Sequence, residues 1–269
     1  MAVEALVRLG ELRRRQGRFD EAAAIFDEAA GHPLAVLGTG ELHLDQGDAT
    51  SARERAEEYL RQATSEAPTP RAAGLELLAR AAATLGDLDR AAAALAELTT
   101  TAERIPTDPA RASLAFVRGT VASARGDRDR ARIGFEDAIR YFQHARAPFE
   151  EAKARLALAR ELAALGRTAD ALRHAETAAS ALERIGAAAA AAEAASLIRP
   201  LSTGGTSPLT ARERQVLRLI ADGKTNRAAA EALVISEHTV NRHITNILTK
   251  LGTGSRSAAV AEALRRQLL

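Results

Sequence analysis

Between Glu237 and Leu251, apolar side chains recur at Val240, Ile244, Ile247, Leu248 and Leu251. At about 100° per residue they line one stripe, which predicts an amphipathic helix. Arg242, Thr245, Asn246 and Thr249 fall roughly opposite, with Thr239 and Asn241 on the flanks. Upstream, Val216, Leu217 and Ile220 share a face of an earlier helix that stops at Asp222-Gly223. Thr210 and Glu213 have the spacing of a capping box, in which hydroxyl and carboxylate each satisfy a free helix-start amide. A short helix is expected from Thr225-Asn226 to about Leu233, and Ser236 is a good N-cap for the helix after it. Two helices joined by so short a turn form a helix-turn-helix, whose second member enters the major groove in DNA-binding examples. Arg, Asn and Thr can reach base edges or phosphates. On pattern alone, the commoner reading of such a face is a solvated side of an ordinary bundle helix.

Residues 1–199 carry a different pattern. A Gly-centred phrase recurs between stretches of helical periodicity: Gln16-Gly17-Arg18, Gln46-Gly47-Asp48, Leu85-Gly86-Asp87, Arg125-Gly126-Asp127 and Leu165-Gly166-Arg167. The glycines are 30, 39, 40 and 40 residues apart. Gly ends a helix in the left-handed conformation and the chain turns back. Small residues stand seven before and five after these glycines, for example Gly10 and Ala22, or Gly119 and Ala131. They let the two helices of a hairpin approach closely. The 40-residue spacing predicts longer helices or loops, such as 65–70 and 99–109. Arg199 to Pro208, with two prolines and two adjacent glycines, reads as a flexible linker.

Charge separates the two regions. The net charge of +2 divides into +5 over residues 209–269 and −3 over 1–208. A basic module behind a mildly acidic body suits a nucleic-acid reader whose other domain does something else. Cysteine is absent, so disulfides and thiolate metal sites are excluded. Residues 1–16 alternate in charge and have no apolar run, so no signal peptide is expected. No uncharged apolar window approaches a membrane span, and a cytoplasmic location is expected.

Candidate chemistry is sparse. Gly223-Lys224-Thr225 resembles the end of a phosphate-binding loop, but position 218 is Arg where that motif needs Gly. His238 and His243 have no evident third ligand, and His32 and His43 read as surface residues, so no zinc site is expected. No paired-carboxylate or Ser/His/Asp arrangement stands out. Neither a cofactor nor an enzymatic activity is expected.

The order of residues in 209–260 resembles the DNA-binding domain of LuxR-type (GerE-like) regulators. Leu209-Thr210, Arg212-Glu213, Val216-Leu217, Gly223, Asn226, Ala230, Leu233, Ile235-Ser236, Thr239-Val240, His243, Asn246-Ile247, Lys250-Leu251-Gly252, Arg256 and Ala259-Val260 carry the match. The resemblance implies a four-helix domain whose fourth helix, Ser255 to Leu268, makes a dimer contact. Two sites depart from it. Ala228-Ala229 stand where Glu-Ile is common, and Asn241 stands where a DNA-contacting Lys is common. The first repeat resembles tetratricopeptide repeats through Leu9-Gly10, Gly17, Phe19, Ala22, Phe26, Ala29 and Pro33. Together the two halves resemble the C-terminal half of the MalT-like large ATP-binding LuxR regulators. No Walker A motif is present, so ATP should not bind.

The expected architecture is all-α: a tetratricopeptide-like helical-hairpin solenoid over 1–199, a linker over 200–208, and a four-helix helix-turn-helix domain over 209–269. The expected function is sequence-specific transcription regulation on double-stranded DNA, as a homodimer. Arg242, Asn241 and Thr245 are candidate base contacts. Lys224, Thr225, Asn226, Ser236, Thr239, Asn246, Lys250 and Arg256 are candidate phosphate contacts. Ala258, Ala261 and Arg265 are candidate dimer contacts. The repeats offer a concave surface for a peptide, protein or small-molecule effector, or serve as a spacer or dimerisation scaffold. The rival reading is a protein-binding adaptor whose helix-turn-helix no longer reads DNA.

Overall fold

The computed structural model describes residues 2–63, 67–204, 209–233, 235–265 and 268. They form helices with no strand among them, in two compact units that divide between Leu201 and Ser202. The first unit contains α1 (Ala2–Arg15), α2 (Phe19–Glu28), α3 (Pro33–Asp45), α4 (Ala49–Gln62), α5 (Pro68–Thr84) and α6 (Leu88–Glu103). It continues through α7 (Asp108–Ala124), α8 (Arg128–His144), α9 (Pro148–Ala164), α10 (Thr168–Arg184) and most of α11 (Ala188–Gly204). The second unit holds α12 (Ala211–Ala221), α13 (Asn226–Leu233), α14 (Glu237–Leu251) and α15 (Arg256–Arg265).

The repeated Gly phrase has a local cause. Gly17, Gly47, Gly86, Gly126 and Gly166 all have φ between 76° and 85°, which an L side chain rarely adopts. The Asp that follows three of them starts the next helix. Asp48, Asp87 and Asp127 accept hydrogen bonds from the amides of Ser51, Arg90 and Arg130, at 3.0, 3.1 and 3.1 Å. One dipeptide therefore ends a helix and caps its successor. Arg146 occupies the equivalent turn between α8 and α9 with φ 53°, a left-handed position that no glycine marks in the sequence.

The 40-residue repeat comes from long helices rather than long loops. Helices α7 to α10 each have 17 residues and are joined by turns of three. The loop expected over 99–109 is therefore mostly helix: α6 runs to Glu103 and α7 resumes at Asp108. The Thr99 and Thr100 hydroxyls donate to the carbonyls of Leu95 and Ala96, so these threonines sit within the helix without unpaired groups. Pro68 opens α5, where a missing amide hydrogen costs nothing. The expected loop over 65–70 is thus helical from Pro68, and Ser65 lies outside the described residues. The linker expectation changes similarly, because α11 continues through Pro200 to Gly204. Residues 205–208 lie outside the described residues.

Packing within the first unit follows the small residues. Ala22, Ala52, Ala91, Ala131 and Ala171, each five after a turn glycine, are fully buried. A Cβ on Gly134 would lie 2.6 Å from the backbone nitrogen of Gly119 and 3.0 Å from the Ala115 carbonyl oxygen, so α7 and α8 meet backbone to backbone there. The apolar core runs in successive clusters along the stack, as expected when each hairpin buries its face against its neighbours. The stack also curves back on itself. Arg15 of α1 pairs with Glu150 of α9 at 2.7 Å, and Lys153 of α9 pairs with Asp45 of α3 at 3.1 Å. The curve encloses a cavity of about 500 Å³.

Candidate nucleic-acid interface

Local chemistry sets the start of each helix in the second unit. Thr210 and Glu213 form the expected capping box: the Glu213 amide donates to Thr210 Oγ1 at 3.2 Å, and the Thr210 amide donates to Glu213 Oε2 at 2.7 Å. Gly223, with φ 76°, ends the first turn. The Thr225 hydroxyl then accepts from the Ala228 amide at 3.2 Å and caps α13. Ser236 caps α14 by accepting from the Thr239 amide at 3.1 Å, and its hydroxyl lies 2.8 Å from that of Thr239. Gly252, at φ 68°, closes α14.

Packing fixes which way α14 faces. Val240, Ile244, Ile247 and Leu251 are buried against Leu209, Val216, Leu217, Ala230 and Ala259. Asn241, Arg242, Thr245, Asn246 and Thr249 are exposed on the other side. Arg242 pairs with no carboxylate among the described residues. The Thr245 hydroxyl donates to the Asn241 carbonyl at 3.1 Å, which uses its polar end on the helix. Burial pulls the His243 imidazole below its usual range against the opposing pull of Glu213, with smaller contributions from the nearby Arg212, Arg242 and Lys250 cations in the same direction as burial. The charge on the outer face is therefore carried by Arg242 rather than by histidine.

Three candidates are committed to the protein itself. Lys250 Nζ donates to both oxygens of Glu213, at 2.9 and 2.7 Å, across from the capping box. Burial alone would raise the Glu213 carboxyl, but hydrogen bonds from Lys250 and the Thr210 amide outweigh it and hold the group below its ordinary value. This ion pair ties α14 to the start of α12, and the Lys250 charge is already neutralised. Asn226 Nδ2 donates to Asn241 Oδ1 at 2.5 Å, linking α13 to α14. A bidentate contact to adenine needs both ends of the Asn amide, and this bond already takes one of the two lone pairs of Asn241 Oδ1 and holds it toward α13. The remaining phosphate candidates Lys224, Thr225, Ser236, Asn246 and Arg256 are exposed, and Thr239 is half-buried. Two further side-chain ties, one from α12 to the end of α13 and one back to the lead into α12 itself, leave no trace in the sequence pattern. Arg212 donates to the Leu233 carbonyl at 2.7 Å and Arg214 to that of Leu209 at 2.9 Å, both acceptors that periodicity does not reveal.

Helix α15 buries Ala259 and Ala263 against this core and leaves Ala261, Leu264 and Arg265 exposed. Ala258 is half-buried, and Arg265 pairs with Glu262 at 2.6 Å. Leu264, 62% exposed, is the large apolar side chain on the outward face.

Residues 207–263 match the family described as bacterial regulatory proteins, luxR family, and residues 4–31 match the tetratricopeptide repeat. The spore germination protein GerE of Bacillus subtilis is 51% identical over 57 residues, which is 21% of this chain and 77% of that protein. The transcriptional regulatory protein DegU of Brevibacillus brevis is 49% identical over 57 residues, 21% of this chain and 24% of that protein. This chain thus spans about a quarter of the length of DegU. A thermophilic tetratricopeptide-repeat protein of Thermus thermophilus shares the repeat fold, with a TM-score of 0.50, 25% identity, and coverage of 70% of this chain and 98% of that one. Among the described residues no helix is long and apolar enough to cross a membrane.

Proposed function

Because this chain belongs to the luxR family of bacterial regulatory proteins through its C-terminal unit, we propose that it regulates transcription by reading double-stranded DNA with α14. The observation that carries this reading is the outer face of α14. A rigid helix, capped at both ends and pinned by Lys250–Glu213, presents an unpaired Arg242 beside Thr245 and Asn246. Arg242 is the base reader, donating to guanine O6 and N7. The Thr245 methyl packs on a thymine methyl. Lys224, Thr225, Ser236, Thr239, Asn246 and Arg256 hold the backbone. Asn226 and Lys250 serve the fold instead.

Two copies associate through α15, at Ala258, Ala261, Leu264 and Arg265, and place two recognition helices about 34 Å apart on an inverted repeat. The repeat unit supplies an interaction surface.

The test is a mobility shift of the full chain on DNA selected from a random pool, with excess non-specific competitor. Arg242→Ala should lose about 1–3 kcal/mol at one base position while random-sequence binding changes little. Equal losses on selected and random DNA would remove Arg242 as a base reader. Absence of any shift would leave the adaptor reading.

A further inference from the structure

We propose that the cavity enclosed by the repeat unit binds a small amine, an ammonium group on an apolar or aromatic body, with the ammonium seated on Glu76. The volume of about 500 Å³ lies within the range of small-molecule sites. Its wall is apolar, formed by Val7, Leu34, Leu37, Phe116, Phe142 and Phe149. Its rim is crossed by the Arg15–Glu150 pair, which favours a compact ligand over an extended chain threaded through the curve.

The choice of charge comes from the polar floor. Three carboxylates of the lining, Glu11, Glu41 and Glu76, together with Asp45 just outside it, face three cations of the lining, Arg14, Arg80 and Lys153. Each cation is engaged by a nearer carboxylate than Glu76. Arg14 donates to Glu11 at 2.9 Å and also pairs with Asp45. Arg80 donates to Glu41 at 2.7 Å, and Lys153 to Asp45 at 3.1 Å. Glu76 has the Ser113 hydroxyl as a donor, and its ion pair to Arg80 is long, at 3.7 Å. Burial pushes its carboxyl up, with Arg80 opposing, as expected where a carboxylate lacks a cation of its own. A ligand ammonium supplies the fourth positive charge, whereas an anionic ligand adds a fifth negative one. Arg8, exposed at the rim, is screened by solvent. The aromatic wall already holds cations: the Arg80 guanidinium lies 5.9 Å from the Phe116 ring centre, and Arg15 and Lys153 lie 5.1 and 5.7 Å from that of Phe149.

The experiment is calorimetric titration of the full chain, without DNA, with 4-phenylbutylamine, 4-phenylbutanol and 4-phenylbutanoate. The three share one body and differ in charge. The amine should bind at least about tenfold tighter than the alcohol, and the carboxylate weakest, as expected of a hydrogen-bonded charge pair in a partly buried site. Glu76→Gln should erase the preference for the amine, while Glu97→Gln, outside the cavity, should keep it. An amine no tighter than the alcohol, a carboxylate that binds best, or a preference that survives Glu76→Gln would each overturn the proposal. So would absence of amine binding at about 1 mM, the weak end expected for so small a ligand. The unsubstituted chain alone decides the charge preference, even if a variant folds poorly. Because no DNA is present, failure here and failure of the DNA reading are separate results.

Discussion

Lys250 shows how one side chain divides between fold and function. Its sequence position, at the end of a basic helix, suits a phosphate contact. In the structure its ammonium closes a three-way junction with Glu213 and the Thr210 cap. Glu213 is 3% exposed and Lys250 38%, so the pair is half-buried, and the full cost of breaking a buried pair does not apply. Lys250→Ala should lower the stability of the second unit by about 1–3 kcal/mol, through the carboxylate left behind. The base preference in a selected DNA pool should stay the same. Calorimetric melting beside pool selection checks this. Unchanged melting with weaker binding to every sequence would return Lys250 to the phosphates. The pH dependence has a definite sign. The Glu213 carboxyl is held below its unfolded value, so its contribution is present above the ordinary carboxylate range and fades as pH falls through the lowered value. In Lys250→Ala the fading should begin at a higher pH.

At the scale of elements, helix contact distance is decided by residues without side chains. Gly134 of α8 lies against the Gly119 backbone of α7, and backbone cannot give way as a flexible side chain can. Gly134→Ala should force the two helices apart and cost about 1–3 kcal/mol. Gly126, in the turn of the same hairpin, meets nothing within 4 Å but has φ 78°. Gly126→Ala should cost about 1–2 kcal/mol from backbone strain alone. Denaturant titration of both variants separates the mechanisms. Asn, which tolerates the left-handed conformation, should cost less than Ala at Gly126 and more than Ala at Gly134, where the added atoms meet the α7 backbone. The helix-turn-helix elements were legible from local signals. Thr210, Ser236, Gly223 and Gly252 each act within a few residues of their own position. The lengths of the repeat helices were less legible, because Thr99, Thr100 and Pro68 carry loop character that a packed helix overrides.

At the scale of the whole molecule, two predictions concern assembly and acid. The proposed α15 interface presents Ala261 and Leu264 on its exposed face. Ala261→Glu should halve the mass measured by light scattering and weaken binding to a two-half-site operator more than to a single half-site. Unchanged mass and affinity in a folded variant would place the interface elsewhere. In the repeat unit, Glu41 links α3 to α5 through Arg80 and approaches Arg14 of α1 at 4.0 Å. Burial alone would raise its carboxyl, but Arg80, Arg14 and Lys153 outweigh that and hold it at about 2. A lowered folded value means that this linkage contributes stability above the ordinary carboxylate range and loses it as pH falls toward about 2. Arg80→Met should move the loss to higher pH, seen as a steeper fall in melting temperature between about pH 5 and pH 3. An identical pH profile would show that Arg80 does not hold the pair.

The sequence by itself determined what short-range chemistry controls. Turn glycines, the Thr210 and Ser236 caps and the apolar stripe of α14 all depend on neighbours a few residues away. Each appears in the structure where the pattern places it. The tertiary structure decided which polar groups remain available. Lys250 meets Glu213 across 37 positions, Asn226 meets Asn241 across 15, and Lys153 meets Asp45 across 108. No periodicity encodes those meetings. They follow from the packing of α14 on both α12 and α13 in one unit and, in the other, from curvature that accumulates hairpin by hairpin until α9 faces α1 and α3. The same curvature gathers Glu41, Glu76, Arg14 and Arg80 around one cavity. Along the chain, each of these is only another charge on another helix.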